Sequence, residues 1–393
     1  FSNSHLIKST HKGAAMDLQK IKTYAEGILA EIATGTAPQP LPEPVPEPTP
    51  DPVPVPPPVP VPPAPPVVGG AVAKDVADII AKLKAGDKVI KVRKGNLGAL
   101  ALNGIATAAA AIEAEDPSDA ATFSAITQSK SPNITIRFLN VVPTAGNKND
   151  SSPNYLIKAD GGLWLEQMTI KSRDDADHCM DWAKADWLAW AWSGVQFVGS
   201  GNVARGCRLF GVNFGLSTIA PDNDFISNAI FGVSADGIRL NGDRCRAISN
   251  KASDFVLIDA NHPDAIQAFG KYNSTAKTYA DLTGLVIEDN EFTEWTVTPN
   301  NPLRAKMQGI GGYNGKWINA SVTRNKIKTT SYTGITINNL INGAVEDNYM
   351  GNIDKVSADC ARFKVSGSGN SIARNQSPHF LTAVDATNVK APF

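Results

Sequence analysis

The chain is short of several things, and each shortage narrows the field. Four cysteines in 393 residues, Cys179, Cys207, Cys245 and Cys360, include no Cys-x-x-Cys pair, and no histidine stands at zinc-ligand spacing beside them. That argues against a zinc site and favours buried free thiols. No run of about 18 uninterrupted apolar residues occurs, which excludes a membrane-spanning helix. Charge of one sign is not in excess: Lys+Arg 37 against Asp+Glu 38 gives a net charge of -1. A near-neutral chain has no general electrostatic pull towards nucleic acid or an anionic membrane. P-loop, dinucleotide-binding, Ser-His-Asp and nucleic-acid motifs are all missing, so no cofactor and no nucleic-acid partner is expected. The first 30 residues lack an apolar core followed by a small-residue cleavage site. Any passage out of a cell is therefore expected to use a route other than a signal peptide.

What the chain has is unevenly placed. Seventeen of its 27 prolines fall between Pro38 and Pro66, in nearly alternating Pro-X order. Proline fixes φ and lacks an N–H, so this stretch can be neither helix nor central strand. It predicts an extended polyproline II stalk, with a reach of roughly 90 Å at about 3.1 Å per residue. Before it, Leu18, Ile21, Ala25, Ile28 and Ile32 are spaced 3, 4, 3 and 4, the seam of a short coiled coil. Gly35 and Pro38 stop that helix. Two heptads are marginal alone, so the helix reads either as a coiled coil or as a single helix docked on a partner, an attachment device in both cases. The division is then residues 1–37 as attachment helix, 38–68 as stalk, 69–125 as helical cap and first strand, and 126–393 as body.

Within the cap, Ala71 to Lys84 has helical amphipathicity and ends at Gly86. Asp87-Lys-Val-Ile-Lys-Val then alternates as a strand, and the Ala-rich stretch from Ala106 to Glu115 reads as helix. Beyond it, short apolar strands alternate with Gly, Asn, Asp and Ser turns. A strand edge ending in Gly or Asn recurs at Gly206, Asn228, Asn250, Asn290, Asn325, Asn348 and Asn375, in steps of 22, 22, 40, 35, 23 and 27. Each unit carries a second short strand, such as Gly237-Ile-Arg-Leu, Ala265-Ile-Gln-Ala, Gly309-Ile-Gly-Gly and Gly334-Ile-Thr-Ile. A base period of 22 to 27 with two enlarged steps fits a single-coil β-solenoid with loop insertions. Stacked coils bury a column of Ile, Val, Leu and Phe, and Asn at one corner can form a side-chain ladder.

The strand after the amphipathic helix, and repeats such as Val286-Ile-Glu-Asp-Asn-Glu-Phe and Val322-Thr-Arg-Asn-Lys-Ile, resemble right-handed parallel β-helix proteins of the pectin-lyase-like superfamily. The resemblance covers about residues 70 to 390. It implies an all-β, right-handed parallel β-helix solenoid with an N-terminal helix, a Pro-rich stalk and an α-helical cap. With the attachment helix and stalk, the chain looks most like a bacteriophage tailspike or tail fibre. That likeness implies a homotrimer fixed to virion or tail proteins through residues 1–37, acting at the bacterial surface on a surface polysaccharide. The alternative it leaves is a non-enzymatic structural or adhesive fibre on the same fold.

Aligning the second strands places Asp236, Asp264, Gln308 and Thr333 in one column, just before the Gly/Ala-Ile pair. Adjacent coils lie about 4.8 Å apart, so Asp236 and Asp264 are expected to stack, and two carboxylates that close cannot both ionise freely. That is an arrangement suited to acid/base hydrolysis of a glycoside. Arg239 and Gln267, one column on, are candidates to grip a sugar, and His262 to assist the carboxyls. The competing reading makes Asp236 and Asp264 turn residues that satisfy corner N–H groups. In a lyase, Arg304 and Lys306 would serve as base or substrate contacts. Polygalacturonases are faintly resembled by Asp236-Gly-Ile and Arg304-Ala-Lys306, but their Gly-His-Gly element is missing. Trp295 and Tyr313 flank the second insertion as sugar-contact candidates, whereas Trp182, Trp187, Trp190 and Trp192 read as packing residues. Asp222-Asn-Asp224 reads as a turn rather than a calcium site, and no metal is expected.

Overall fold

A computed structural model describes residues 70–105, 108–146, 154–297, 301–353, 360–382 and 387–390. The attachment helix and the stalk lie outside the described residues. From residue 71 onward the chain winds a right-handed parallel β-helix. Each coil contributes one strand to each of three long sheets, which hold 12, 11 and 13 strands among the described residues. One such coil runs Val203–Arg205, Arg208–Val212, Leu216–Thr218, and the next repeats it as Asp224–Ile226, Ala229–Val233, Ile238–Leu240. Strands this short cannot bury a face alone. Stacked in register, they align their apolar residues into columns. In the third sheet Val195, Leu216, Ile238, Ile266, Ile310, Ile335 and Phe363 follow one another, all fully buried.

The expected asparagine ladder occupies the corner between the first and second sheets. Asn228, Asn250, Asn290, Asn325, Asn348, Asn375 and Asn388 each pass the amide on: the Nδ2 of one donates to the Oδ1 of the next at 2.9–3.0 Å. The second Nδ2 hydrogen goes to a backbone carbonyl of the preceding coil, as from Asn290 to Ala247 at 2.8 Å. The next Oδ1 also accepts the backbone N–H of its neighbour, as Asn290 does from Asn250 at 2.9 Å. To bring each Asn inward, the residue before it turns through left-handed φ: Ser227, Ser249, Asp289, Arg324, Asp347 and Arg374 lie at φ 54 to 57. The ladder offsets that strain with fully paired polar groups.

Two helix expectations change. The cap helix is Val76–Ala85, started by Asp75, whose carboxylate accepts the Asp78 N–H at 2.8 Å, and ended by Gly86 at φ 92. Ala71–Ala73, taken with the helix on periodicity, is instead a strand paired to Val89–Val92. The Ala-rich stretch also folds the other way. Ala110–Ala114 is a fully buried strand between Val89–Val92 and Ile134–Arg137. Alanine's helix preference is a fraction of a kcal/mol per residue, and two flanking parallel strands outweigh it. All three sheets already have strands before residue 126. The four cysteines are free and buried.

Insertions leave the coils where the enlarged steps predict. The first holds the hairpin of Tyr272–Asn273 and Thr278–Tyr279. The second lies between Glu291–Thr293 and Gln308–Gly312. A third follows Thr169–Lys171 and carries the helix Lys184–Trp190. Trp182 and Trp187 are buried there, edge to face with ring centroids 5.1 Å apart, which is packing and not an open platform.

Candidate functional site

The third sheet carries the candidate residues because its strand register lines them up. Asp264 pairs with Gln308, and Arg239 with Gln267, which pairs in turn with Gly311. Gly311 continues to Thr336 and Thr336 to Lys364, while Thr333 pairs with Arg362. Two polar columns therefore run along the solenoid, one from Asp236 through Asp264, Gln308 and Thr333 to Arg362, the other from Arg239 to Lys364.

Asp236 and Asp264 are neighbours on adjacent coils: the Asp264 backbone N–H donates to Asp236 Oδ1 at 3.1 Å. Both side chains are covered, with 1% and 0% of their surface exposed. Their partners differ. Arg239 Nε donates to Asp236 Oδ2 and forms an ion pair with it. The Arg239 guanidinium also lies over the Phe214 ring, 4.0 Å from its centroid. Asp264 has only a neutral donor, Gln267 Nε2, on one oxygen. Its other oxygen, Oδ1, is buried with no hydrogen-bond partner among the described residues. Burial drives both carboxyl pKa values up. At Asp236 the Arg239 charge opposes this, with His262 acting in the same direction. At Asp264 the negative charge of Asp236 adds to burial, and the carboxyl is pushed up to about 8. Both carboxyls are thus held above the usual carboxylate range, Asp264 at about 8, and of the two only Asp236 has a cation, Arg239, against it among the described residues.

Next to this pair is a cleft of about 410 Å³. His262, Gln308 and Tyr313 line it on the Asp264 side. The Tyr313 hydroxyl donates to Gln308 Oε1 at 2.5 Å, and burial raises its pKa. Its ring lies against Gly311, where a Cβ would come within 2.4 Å of Tyr313 Cε2, so only glycine admits the ring at this step of the column. Of the residues singled out in the sequence, Asp236, Asp264, Arg239, Gln267, His262 and Tyr313 come together here. Lys306 is exposed two residues before Gln308.

Two others stand elsewhere. Trp295 is 4% exposed and packs with Trp182, Trp187, Val256 and Ile258, which leaves no ring face for a sugar. Arg304 donates to Glu294 Oε1 at 3.1 Å. Glu294, fully buried, also accepts from Met307, Thr329 and Thr330, so this pair ties the second insertion to its coil. The carboxylates of Asp222 and Asp224 are held by Arg244 and Arg246. Sequence reading missed the far end of the cleft, formed by Tyr332, Thr336, Asn338, Arg362 and Lys364. The signal was available: the column was followed as far as Thr333, and one more coil brings Arg362-Phe-Lys364 into it.

No protein-family model and no curated protein matches this sequence. Among solved structures, the chain is similar to a mannuronic acid specific polysaccharide family 6 lyase from human gut microbiota, at 12% identity and a TM-score of 0.42, over 82% of this chain and 91% of that one. It is also similar to the A-module of a mannuronan C-5 epimerase from Azotobacter vinelandii, at 13% identity and a TM-score of 0.36, over 83% and 98%. A third is a mutant tailspike of an E. coli bacteriophage in complex with a hexasaccharide, at 7% identity and a TM-score of 0.39, over 78% and 66%. At such identities the likeness concerns the course of the chain and not its chemistry.

Proposed function

We propose that this protein binds a polysaccharide along its third sheet and hydrolyses it, with Asp264 as the proton donor and Asp236 as its anionic partner. The observation that carries the reading is the stacked carboxyl pair with unequal surroundings, one oxygen of Asp264 unpartnered beside a cleft. Unequal environments are how two carboxyls come to hold different protonation states at one pH. The protonated Asp264 gives its proton to the leaving sugar oxygen as the glycosidic C–O bond breaks, Asp236 supplies the negative charge opposite the developing cation, and a water then adds to the anomeric carbon and returns a proton to Asp264. Adjacent strands about 4.8 Å apart hold carboxyls near the ~5–5.5 Å separation of retaining glycosidases. Arg239 and Gln267 position the two acids, and His262 stands exposed at the cleft.

The wider reading is a virion protein acting at the bacterial surface. A homotrimer on a phage tail, held through residues 1–37 with the proline stalk as spacer, is supported by the 3-4-3-4 seam and the Pro-X alternation. A second reading, adhesion without cleavage, is favoured by one observation: both carboxyls are covered, so an acid at Asp264 must be uncovered before it meets substrate. Incubation of the full chain with polysaccharide from candidate host surfaces decides between them. Hydrolysis predicts shortened chains with the parent protein and none with Asp264→Asn, which keeps binding. Intact chains alongside tight binding support the adhesive reading. If Asp236→Asn and Asp264→Asn both cleave at full rate, the site is elsewhere and Lys306 is tested next.

A further inference from the structure

The first insertion is tied to the carboxyl pair by an unbroken run of rings. It leaves the third sheet just after Gln267, and its hairpin pairs only Tyr272 with Tyr279 and Asn273 with Thr278. A two-stranded ribbon that short does not stand alone in water, so its rings must hold it down. Tyr272 and Tyr279 have centroids 4.9 Å apart, and Tyr279 meets the Phe269 ring edge to face at 5.8 Å. The Arg239 guanidinium lies 5.9 Å from the Phe269 centroid and 4.0 Å from that of Phe214. Phe214 stands one coil before Asp236 in the same column, where the Gly215 N–H donates to the Asp236 carbonyl at 3.0 Å. Four rings and one cation therefore connect the exposed hairpin to the ion pair of Arg239 and Asp236.

That ion pair needs a support. The Arg239 side chain is 24% exposed and has several rotatable bonds, and a partly open pair fixes its own geometry poorly. Aromatic faces within about 6 Å attract a guanidinium and leave its N–H edge free to bond a carboxylate. Resting on the carboxyl-pair reading above, we infer that the first insertion is a positioning element for that pair: Phe214 and Phe269 hold the Arg239 guanidinium on Asp236, and Tyr279 holds Phe269. The three rings are positioning residues, acting on Asp236 through Arg239. The cleft beside the pair is lined by other side chains, so this role is separate from substrate contact.

The test follows the proton on Asp236 in the full chain and needs no glycan. Infrared difference spectra are recorded across pH for the parent and for each ring variant, each against the same chain carrying Asp236→Asn. The titratable and charged groups that face Asp236, namely Arg239, Asp264, His262, Tyr155 and Tyr313, stay in place throughout. Loosening Arg239 takes a favourable charge away from the Asp236 carboxylate, so its protonation midpoint should rise. The rise should be about half a pH unit or more in Phe214→Leu, and smaller in Phe269→Leu and Tyr279→Leu, in order of distance from the cation. Phe214→Tyr and Phe269→Tyr keep the aromatic face and should titrate like the parent. On a polysaccharide that the parent cleaves, Phe214→Leu should lower kcat about fivefold with KM unchanged within about twofold. If Phe214→Leu fails to fold, the half-buried Phe269, as Leu and as Tyr, carries the test. Leu variants that titrate like the parent overturn the inference. Tyr variants that shift as far as the Leu variants also overturn it, because packing alone then accounts for the change. Cleavage with unmoved midpoints removes the positioning role and leaves the hydrolase reading standing. A parent that cleaves no glycan removes the hydrolase reading, and the midpoints still decide the role of the rings.

Discussion

Two columns of buried polar side chains climb this solenoid, and they are built to opposite rules. The asparagine ladder is closed: every amide from Asn228 to Asn375 gives both its hydrogens and receives from the coil before it. The carboxyl column is open. Asp236 and Asp264 share the same spacing but accept unequal partners, and Asp264 Oδ1 has none among the described residues. An amide carries both donor and acceptor, so a stack of amides satisfies itself. A stack of carboxylates carries only acceptors and repels itself, so it needs a proton, a cation or a bound group. A repeat that must hold together uses the first kind of column.

The largest expected effect comes from breaking the closed column. Asn290→Ala strands the N–H and Nδ2 of Asn250 and the carbonyl of Ala247 inside the corner, and should cost about 3 kcal/mol in urea unfolding. A loss under about 0.5 kcal/mol would show that the ladder is not what fixes the corner.

The open column should show itself in pH dependence. Asp264 has a folded pKa of about 8, against about 3.9 for a free aspartate. Between those values the folded state holds a proton that the unfolded state has lost. Its contribution is therefore fully present below the unfolded pKa and lost as pH rises towards 8. The slope for a single group is at most about 1.4 kcal/mol per pH unit. Comparison of the parent with Asp264→Asn isolates it, and the variant's stability curve should be flatter from pH 5 to 8. Parallel curves would contradict the raised pKa.

Asp264→Asn itself should be nearly neutral for folding below about pH 4, within about 1 kcal/mol, because an amide there replaces an acid that is protonated folded and unfolded alike. At pH 7, where the parent must take up a proton to fold, the variant should be the more stable of the two. A loss of several kcal/mol in thermal unfolding would mean that the residue is a structural corner. The smallest effect is expected on the surface. Arg374 pairs with Asp347 at 2.7 Å and with Glu346, but its side chain is 53% exposed. Arg374→Ala should change stability by less than about 1 kcal/mol, and less again at high salt.

The closed column was far more legible than the open one. Asn recurs in steps of 22 to 27 residues, enlarged only where an insertion enters, and that recurrence places it on one corner. The carboxyl column was also visible, because Asp236 and Asp264 stand before the same Gly/Ala-Ile pair. What periodicity does not carry is which oxygen finds a partner. That depends on Arg239 and Gln267 reaching back three residues to different acids. Trp295 and Arg304 were misjudged for a related reason: insertions follow no repeat, so nothing in their sequence says whether they fold onto Glu294 or stand open. At Ala110–Ala114 the intrinsic preference was read correctly and was overruled by two neighbouring strands.

The most direct test follows the Asp264 proton. Infrared difference spectra of the parent minus Asp264→Asn, recorded from pH 4 to 10, isolate the carbonyl stretch of its protonated carboxyl. The account predicts a band that persists at pH 7 and disappears with a midpoint near 8. A band already gone by pH 5 would mean that Asp264 is an ordinary carboxylate, and the acid assigned to it would not exist.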